Sequence, residues 1–204
     1  MHDAPPCSCG PYDRRLPSLL LDNPVRRLVQ PPGRFLSRHL RPGDHVADLG
    51  CGPGHFTVAM TRVVGERGRV HAVDFDPKAV ARLKHKAERH GVDHLVDARV
   101  ASVAEIDFID SSSLDFVLAE AVLCCMTDHT GAMRQIARIL RPTGKAWLSV
   151  MKGARAGDPR SVGREEWASL LSRMRVHASG HGLLSRWALV SPPERITVET
   201  GVGQ

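Results

Sequence analysis

The pattern of apolar and polar positions along this chain predicts strands that alternate with helices. Short apolar runs bounded by turn residues predict strands at His45–Leu49, Arg69–Asp74, Leu95–Ala101, Leu114–Ala119 and Lys145–Val150. Between these runs, apolar residues recur every three or four positions, as they do on the buried face of a helix. Strands that alternate with helices in this way predict an α/β fold around a mostly parallel sheet.

Two helices of this pattern begin at recognisable capping residues. Asp76 is suited to be an N-cap and Pro77 to be the first helical residue. Asp128 is suited to cap the helix that follows the fourth strand. Near the end of the sequence, Leu184–Val190 and Arg195–Thr200 predict a pair of antiparallel strands joined by a proline-rich turn.

The first part of the chain lacks this regular alternation. Residues 1–16 are rich in Pro, Cys and Gly and show no periodicity, which predicts a mobile arm. The pair Asn23-Pro24 is typical of a helix start. We therefore expect residues 1–41 to form an arm with cover helices, and residues 42–204 to form one compact domain.

The first strand ends in three alternating glycines, Gly50, Gly52 and Gly54, and an amphipathic stretch follows at once. Such glycines let the backbone take positive φ and let a ligand approach bare amides. The second strand ends in Asp74, and a carboxylate at that place is suited to bind both hydroxyls of a ribose. The sequence therefore predicts a nucleoside site at the carboxyl edge of the sheet. A glycine-rich turn that binds no ligand is the alternative.

The spacing of these glycines differs from the dinucleotide-binding pattern G-x-G-x-x-G, because Gly54 comes one residue early. The stretch from Asp48 to Gly54, together with Asp74, resembles the core motif of the class I S-adenosylmethionine-dependent methyltransferases. The turn Leu140–Gly144 is similar to the Leu-(Lys/Arg)-Pro-Gly-Gly turn of that family, with threonine for the first glycine. The resemblance implies an α/β, doubly wound Rossmann-like sheet of seven strands. It would be mostly parallel with an antiparallel last strand, and helices would cover both faces.

The resemblance also implies the cofactor, S-adenosylmethionine, with S-adenosylhomocysteine as the product and no metal ion. The residues implied to contact the cofactor are Asp48, Gly50, Cys51, Gly52, Gly54, Asp74, Phe75, Ser102, Val103, Ala119 and Glu120. Ser102 departs from the family pattern, which usually places an acid that binds the adenine amino group just beyond the third strand. The nearby Glu105 and Asp107 are alternatives for that role.

The residues that act on the acceptor are less clearly marked. Methyl transfer from a sulfonium is an in-line displacement, so a base is needed only where the acceptor carries a proton. Glu120, at the end of the fourth strand, and His129, at the start of the next helix, are the candidates for that base. The alternative for both is that they are solvated surface residues without a catalytic role. Contacts with the substrate are predicted for Tyr12, His55, Cys124 and Cys125.

The five cysteines match no zinc-ribbon spacing. Cys7 and Cys9 lie in the predicted arm, and Cys124 and Cys125 follow the fourth strand. If the arm closes over the cleft, these thiols would converge, and soft thiolates suit a metalloid such as arsenic(III). Alternatively, the buried cysteines are small hydrophobic residues and those of the arm are incidental.

Composition narrows the class of protein without naming its substrate. Hydrophobic residues make up 42% and charged residues 25%, which is typical of a globular protein. No apolar run approaches the roughly 20 residues that span a bilayer, and no secretory signal is recognisable. We therefore expect a cytoplasmic location and no membrane partner. The net charge of +6 fits an anionic partner or a solvated basic surface.

Together these features predict an S-adenosylmethionine-dependent methyltransferase that acts on a small-molecule acceptor, as a monomer or homodimer. Three alternatives remain open. A non-catalytic protein that binds S-adenosylmethionine or another nucleoside is suggested by Ser102, and a methyltransferase for thiol-bound arsenite by the cysteines. A nucleic-acid methyltransferase is suggested by the charge. However, residues 119–122 replace the Asn/Asp-Pro-Pro-aromatic motif of amino-group methylation in nucleic acids.

Overall fold

The computed structural model describes residues 32–152 and 157–193. The helices are α1 (Pro32–His39), α2 (Thr57–Val64), α3 (Pro77–Arg89), α4 (His129–Ile139) and α5 (Arg164–Leu171). The strands are β1 (His45–Leu49), β2 (Arg69–Asp74), β3 (Val96–Val100), β4 (Leu114–Glu120), β5 (Leu140–Met151), β6 (Arg175–His181) and β7 (Ser185–Ser191). A short 3-10 turn, Leu123–Cys125, follows β4. The predicted arm, the Asn23-Pro24 helix start and the Arg195–Thr200 strand lie outside the described residues.

The strands form one seven-stranded sheet in the order β3-β2-β1-β4-β5-β7-β6. Strands β1 to β5 pair in parallel, and β7 runs antiparallel to both of its neighbours, β5 and β6. The predicted doubly wound sheet with an antiparallel last strand is thereby confirmed. Because the chain moves outward in one direction from β1 to β3 and in the other from β4 to β5, the switch point of the sheet lies between β1 and β4.

Helices cover the sheet on both faces, and the alternation along β4 shows how. Phe116 and Leu118 face the cluster that contains α1 and α2, whereas Val117 and Ala119 face the cluster that contains α4 and α5. Leu36 of α1 is fully buried in the first cluster. Helix α1, which lies in the predicted N-terminal segment 1–41, therefore packs against the sheet through a core residue.

The predicted caps are present. The Asp76 side chain accepts a hydrogen bond from the Lys78 amide, and Pro77 begins α3. The Asp128 side chain accepts a hydrogen bond of 2.8 Å from the Gly131 amide at the start of α4. Each carboxylate satisfies an amide that has no partner within its helix, and each thereby fixes the point at which the chain leaves the carboxyl edge of the sheet.

The second half of the sheet differs from the prediction in two ways. The partner of β7 is β6, a strand the sequence pattern did not predict, because its residues are almost all exposed and show no apolar alternation. Strand β5 begins at Leu140 rather than Lys145, so the turn Leu140–Gly144 is extended backbone. A register shift against β4 accommodates it.

Candidate functional site

All three glycines of the turn after β1 have the left-handed backbone that their residue type predicts, with φ of 74°, 52° and 84°. The Gly50 amide donates a hydrogen bond of 2.7 Å to the Val73 carbonyl and so ties the turn to the end of β2. A Cβ atom on Gly50 would lie 2.7 Å from the Val122 side chain, and one on Gly54 would overlap Leu83 of α3. The turn therefore needs glycine for its conformation and for close packing on both sides.

Asp74 ends β2 beside this turn, as predicted, and its carboxylate is held by two amides. The Gly52 amide donates to Oδ2 at 2.8 Å, and the Asp76 amide donates to Oδ1 at 2.9 Å. Burial raises the pKa of Asp74 above its ordinary value, and these two amide bonds oppose the rise. Each carboxylate oxygen can accept a further hydrogen bond, so the arrangement is suited to a pair of neighbouring hydroxyls.

A cleft opens in front of this carboxylate at the carboxyl edge of the sheet. It encloses about 290 Å³, part of it open to solvent. Its walls are formed by Gly50, Asp74, Phe75, Ala101, Ser102, Val103, Val122, Cys125 and Met126. One carboxylate and one hydroxyl among mostly apolar groups match a nucleoside, which has a flat base and a polar sugar. A wider, open depression near Ser172–Arg175 lies at the opposite edge of the sheet.

Asp48, one of the residues that the resemblance implies to contact the cofactor, is buried near the end of β1. Its Oδ2 accepts a hydrogen bond of 2.6 Å from the Thr57 hydroxyl, the first residue of α2. This bond fixes the start of α2 relative to the glycine turn. His55, a predicted substrate contact, lies between the glycine turn and the start of α2. Its side chain is buried, and its ring lies edge-on to Phe56.

Ser102 lies in the cleft wall, where the resemblance implied an acid. Its hydroxyl accepts a hydrogen bond of 3.3 Å from the Ala104 amide. Of the acids considered as substitutes, Asp107 accepts a hydrogen bond of 2.8 Å from Gln135 of α4. In the structure, Ser102 is therefore the polar side chain at that corner of the cleft.

Glu120, the predicted base, ends β4 at the switch point and is partly exposed. Its Oε2 accepts a hydrogen bond of 3.3 Å from the indole of Trp147 on β5. Trp147 is stacked on Trp187 at a centroid distance of 4.5 Å and meets Phe35 edge-on. Glu120 thus faces an aromatic cluster on the α1 side of the sheet. Ala119, its neighbour in the sequence, points into the core on the other face.

His129, the second candidate base, is buried at the start of α4 and has both ring nitrogens engaged. Nε2 lies 2.8 Å from the Met126 carbonyl oxygen, and Nδ1 lies 2.6 Å from Oε1 of Glu166 on α5. Both partners are oxygen atoms of the protein, so both ring nitrogens are engaged within the fold. This geometry favours a role in holding Met126, which is part of the cleft wall, over proton abstraction from a substrate.

Three of the four predicted substrate contacts, His55, Cys124 and Cys125, lie among the described residues. Cys125 lies in the cleft wall, and Cys124 precedes it in the same short turn. Both thiols donate to the Ala121 carbonyl, at 3.5 Å and 3.2 Å respectively. Tyr12, like the arm cysteines Cys7 and Cys9, lies outside the described residues. Within residues 32–152 and 157–193, no group of three or more potential ligands could hold a metal ion.

Sequence analysis did not identify every residue of the cleft. Val122 and Met126 line the cleft and belong to the turn after β4, but no motif in the sequence singles them out. Ser149 of β5 was also missed, although its hydroxyl accepts a hydrogen bond of 2.9 Å from the Ala121 amide. That bond holds Ala121 at φ 56°, an uncommon conformation for alanine. The position of these residues just after β4, at the switch point, is the signal that could have identified them.

Comparison with known proteins gives a family match and several relatives. A family model described as "Methyltransferase domain" matches residues 47–148. A ubiquinone biosynthesis O-methyltransferase from Xanthomonas axonopodis pv. citri is 32% identical over 157 residues, which cover 76% of this chain and 61% of that protein. The chain thus spans less than two thirds of that relative's length.

Solved structures show the same fold at low sequence identity. A SAM-dependent methyltransferase from Aquifex aeolicus matches with a TM-score of 0.72 at 19% identity, covering 85% of this chain and 95% of that one. A [4+2]-cyclase matches with a TM-score of 0.71 at 14% identity, covering 92% and 89%. Within the part of the chain that the structure describes, no helix has the length and apolar character to cross a bilayer.

Proposed function

The chain belongs to the methyltransferase-domain family, and from that premise we propose that it transfers a methyl group from S-adenosylmethionine to a small-molecule acceptor. The observation that carries the proposal is the carboxylate of Asp74, held by the Gly52 and Asp76 amides at the mouth of the cleft. Such a carboxylate, with a lone pair still available on each oxygen, is suited to bind the two ribose hydroxyls of the cofactor.

The residues of the cleft fit this cofactor. The left-handed glycine turn removes side chains from the place where the cofactor would lie against the backbone, since a Cβ on Gly50 would press on Val122. Phe75, Val103 and Met126 offer apolar surfaces for a base, and Ser102 offers a hydroxyl. Asp48, buried behind the turn, supplies negative charge on the side where an ammonium would lie.

When bound, S-adenosylmethionine supplies a methyl group already activated by its sulfonium charge. The protein's part is then to align the acceptor and exclude water. Val122 and Met126 are apolar and lie at the switch point, where they keep water from the reacting atoms. The Ser149 hydroxyl and carbonyl both accept from the Ala121 amide and hold the turn after β4 in place.

For the acceptor we propose an aromatic hydroxyl, and for Glu120 the role of its base. The relatives named for ubiquinone biosynthesis suggest an oxygen on a quinone precursor. In the structure, Glu120 is partly exposed next to the stacked rings of Trp147 and Trp187, which suits a flat aromatic acceptor. A carboxylate within hydrogen-bond reach of a phenol can remove its proton as the methyl group is transferred.

A second function is favoured by one specific observation. The [4+2]-cyclase has the same fold, so the fold alone does not establish methyl transfer. With Ser102 in place of the usual acid, a protein that binds the cofactor without transferring its methyl group is the alternative. The main proposal includes a cytoplasmic location.

The test is isothermal titration of the reduced, full-length protein with S-adenosylmethionine and S-adenosylhomocysteine, followed by transfer of a labelled methyl group to a panel of phenols and catechols. Micromolar binding and labelling of a phenolic oxygen are the expected results. Binding without labelling of any compound would support the non-catalytic alternative. If neither nucleoside binds, the proposal is wrong.

A further inference from the structure

Two adjacent cysteines, Cys124 and Cys125, form the end of the turn that follows β4. Both thiols point to the same acceptor, the Ala121 carbonyl, at 3.2 Å and 3.5 Å. Both are partly exposed, unlike Cys51, which is buried in the glycine turn. The two sulfur atoms are therefore close together and accessible, and Cys125 faces the cofactor cleft.

Cys124 and Cys51 lie in different environments, and their thiols therefore differ in reactivity. The adjacent Cys125 side chain, the Met151 amide and the nearby His129 lower the pKa of Cys124 to about 6, and burial opposes the shift. Burial raises the pKa of Cys51 well above its ordinary value. A thiolate reacts with oxidants, whereas a buried, protonated thiol does not. Of Cys124 and Cys51, Cys124 is therefore the reactive cysteine.

We propose that Cys124 and Cys125 form a reversible oxidation site, in which Cys124 reacts with a hydroperoxide, Cys125 resolves the product as a disulfide, and the disulfide weakens cofactor binding. The last clause rests on the proposed function. A reactive, accessible cysteine next to a resolving thiol is the arrangement that redox-sensing sites share.

The reaction balances without any further reagent. The Cys124 thiolate attacks one oxygen of the hydroperoxide and the O–O bond breaks. The departing oxygen takes a proton and leaves as water or an alcohol, and Cys124 becomes a sulfenic acid. The Cys125 thiol then attacks the sulfenic sulfur. An S–S bond forms, the S–O bond breaks, and the hydroxyl leaves as water with the Cys125 proton. The sulfur pair loses two electrons and the peroxide gains them.

Closing this bond has to move the cleft wall. Neighbouring Cα atoms lie about 3.8 Å apart, whereas disulfides usually join Cα atoms about 4.4–6.8 Å apart. An S–S bond between adjacent residues closes a small ring that contains the peptide between Cys124 and Cys125. We therefore expect the turn Leu123–Cys125, with its hydrogen bond of 2.9 Å from the Cys125 amide to the Val122 carbonyl, to change its conformation. Val122, Cys125 and Met126 all line the cleft, so the change reaches the cofactor directly. A strained disulfide is also readily reduced, which makes the change reversible.

Thermodynamic linkage adds a second consequence. If the disulfide weakens cofactor binding tenfold, the bound cofactor must favour the dithiol form by the same factor. For a two-electron couple, tenfold corresponds to about 30 mV. Saturating S-adenosylhomocysteine should therefore raise the midpoint potential of the pair by about 30 mV.

The experiment uses the full chain with Cys7→Ser and Cys9→Ser, so that these two thiols do not react. The reduced protein is treated with hydrogen peroxide, and the peroxide is then removed with catalase. Peptide mapping should find Cys124 joined to Cys125, with the mass of the two hydrogens lost, and Cys51 still reduced. Titration with S-adenosylhomocysteine should show binding weaker by about tenfold, with full recovery after dithiothreitol.

Two single variants separate the roles of the thiols. In Cys125→Ser, peroxide should carry Cys124 to the sulfinic or sulfonic acid, which dithiothreitol does not reverse. In Cys124→Ser, treated and untreated samples should bind S-adenosylhomocysteine equally. Binding that is equal in reduced and oxidised forms of the parent chain would overturn the inference, as would a disulfide that does not form. If the reduced chain does not bind the nucleoside, the proposed function fails instead.

Discussion

The carboxyl edge of the sheet has two halves that are built in different ways. In the half formed by β1 and β2, the cleft is shaped by backbone: left-handed glycines, the Gly50 amide on Val73, and amides that hold Asp74. In the half formed by β4 and β5, the edge carries contacts between side chains, such as Glu120 with Trp147 and His129 with Glu166.

The difference separates what the fold requires from what one reaction requires. A backbone cradle accepts the same cofactor whatever the acceptor, because amides and glycines do not depend on the acceptor's chemistry. Side chains of the second half that lie outside the cleft wall, such as Glu120, can change without disturbing that cradle, and so can suit different acceptors. We therefore expect substitutions in the glycine turn and at Asp74 to affect cofactor binding, and a substitution at Glu120 to affect turnover.

The largest effect is expected from Glu120→Gln, which keeps the shape of the side chain and removes the base. The turnover number should fall about 10²–10⁴-fold with a phenolic acceptor, since general base catalysis contributes that much. Affinity for S-adenosylhomocysteine, measured by titration, should stay within about twofold. The exposed Glu165→Gln variant is the control. If the affinity for S-adenosylhomocysteine fell by the same factor as the turnover number, Glu120 would contribute to cofactor binding rather than to catalysis.

The next largest effect is expected from Gly54→Ala, which should lower the free energy of unfolding as measured with urea. A Cβ there would overlap the fully buried Leu83, and the residue has φ of 84°. Left-handed strain costs about 1–2 kcal/mol and overpacking about 1–3 kcal/mol more, so we expect a loss of about 2–5 kcal/mol. Gly91→Ala is a matched control, because Gly91 has φ of 65° and no atom within 4 Å of its added Cβ. Equal losses in the two variants would show that the contact with Leu83 adds nothing.

Asp74→Asn should weaken binding of S-adenosylhomocysteine about 10–100-fold, because hydrogen bonds to a charged group contribute about 1.5–3 kcal/mol. Titration calorimetry checks this. The exposed Asp93→Asn, the same chemical change near the amino end of β3, should leave the affinity unchanged. A similar loss in both variants would indicate an effect of net charge.

The pH dependence of this binding has a defined direction. Burial raises the pKa of Asp74, so the carboxylate takes up a proton at a higher pH than an ordinary aspartate. The ionised form accepts from the ribose, and affinity should therefore fall as the pH is lowered through this raised pKa. In Asp74→Asn this acid limb should be absent.

The smallest effect is expected from Ser102→Asp, which restores the acid usual in the family. It adds an acceptor for an adenine amino group in a partly open cleft, so affinity should rise only about threefold to tenfold. An analogue that lacks the amino group should gain nothing from the substitution. Weaker binding of both nucleosides would show that Ser102 does not face the base.

The same contrast explains which features the sequence could predict. The left-handed backbone of the three glycines, the position of Asp74 at the end of β2 and the caps of α3 and α4 follow from residue types in the local sequence, and the structure confirms these features. His129 is different: its burial depends on Glu166, which lies 37 residues further along. Nothing near His129 in the sequence indicates that partner, so the sequence is equally compatible with a solvated surface histidine.

Strand β6 was missed for a related reason. Its residues are almost all exposed on both faces, so the apolar alternation that indicates a strand is absent. It forms because the antiparallel β7 offers a free edge after pairing with β5. The pattern of β5 misled in another way, because Pro142 and Gly144 are typical of a turn yet lie in extended backbone.

The adjacency of β1 and β4 has a consequence for how the protein is made. The His45 amide at the start of β1 donates to Asp115 at the start of β4, 70 residues later in the chain. On the ribosome, β1, β2 and the glycine turn emerge long before the strand that completes their sheet. Such distant pairing is slow to form, and a nascent chain that stops before Met126 lacks one wall of the cleft. Bound nucleoside can therefore stabilise only a chain whose synthesis has passed that point.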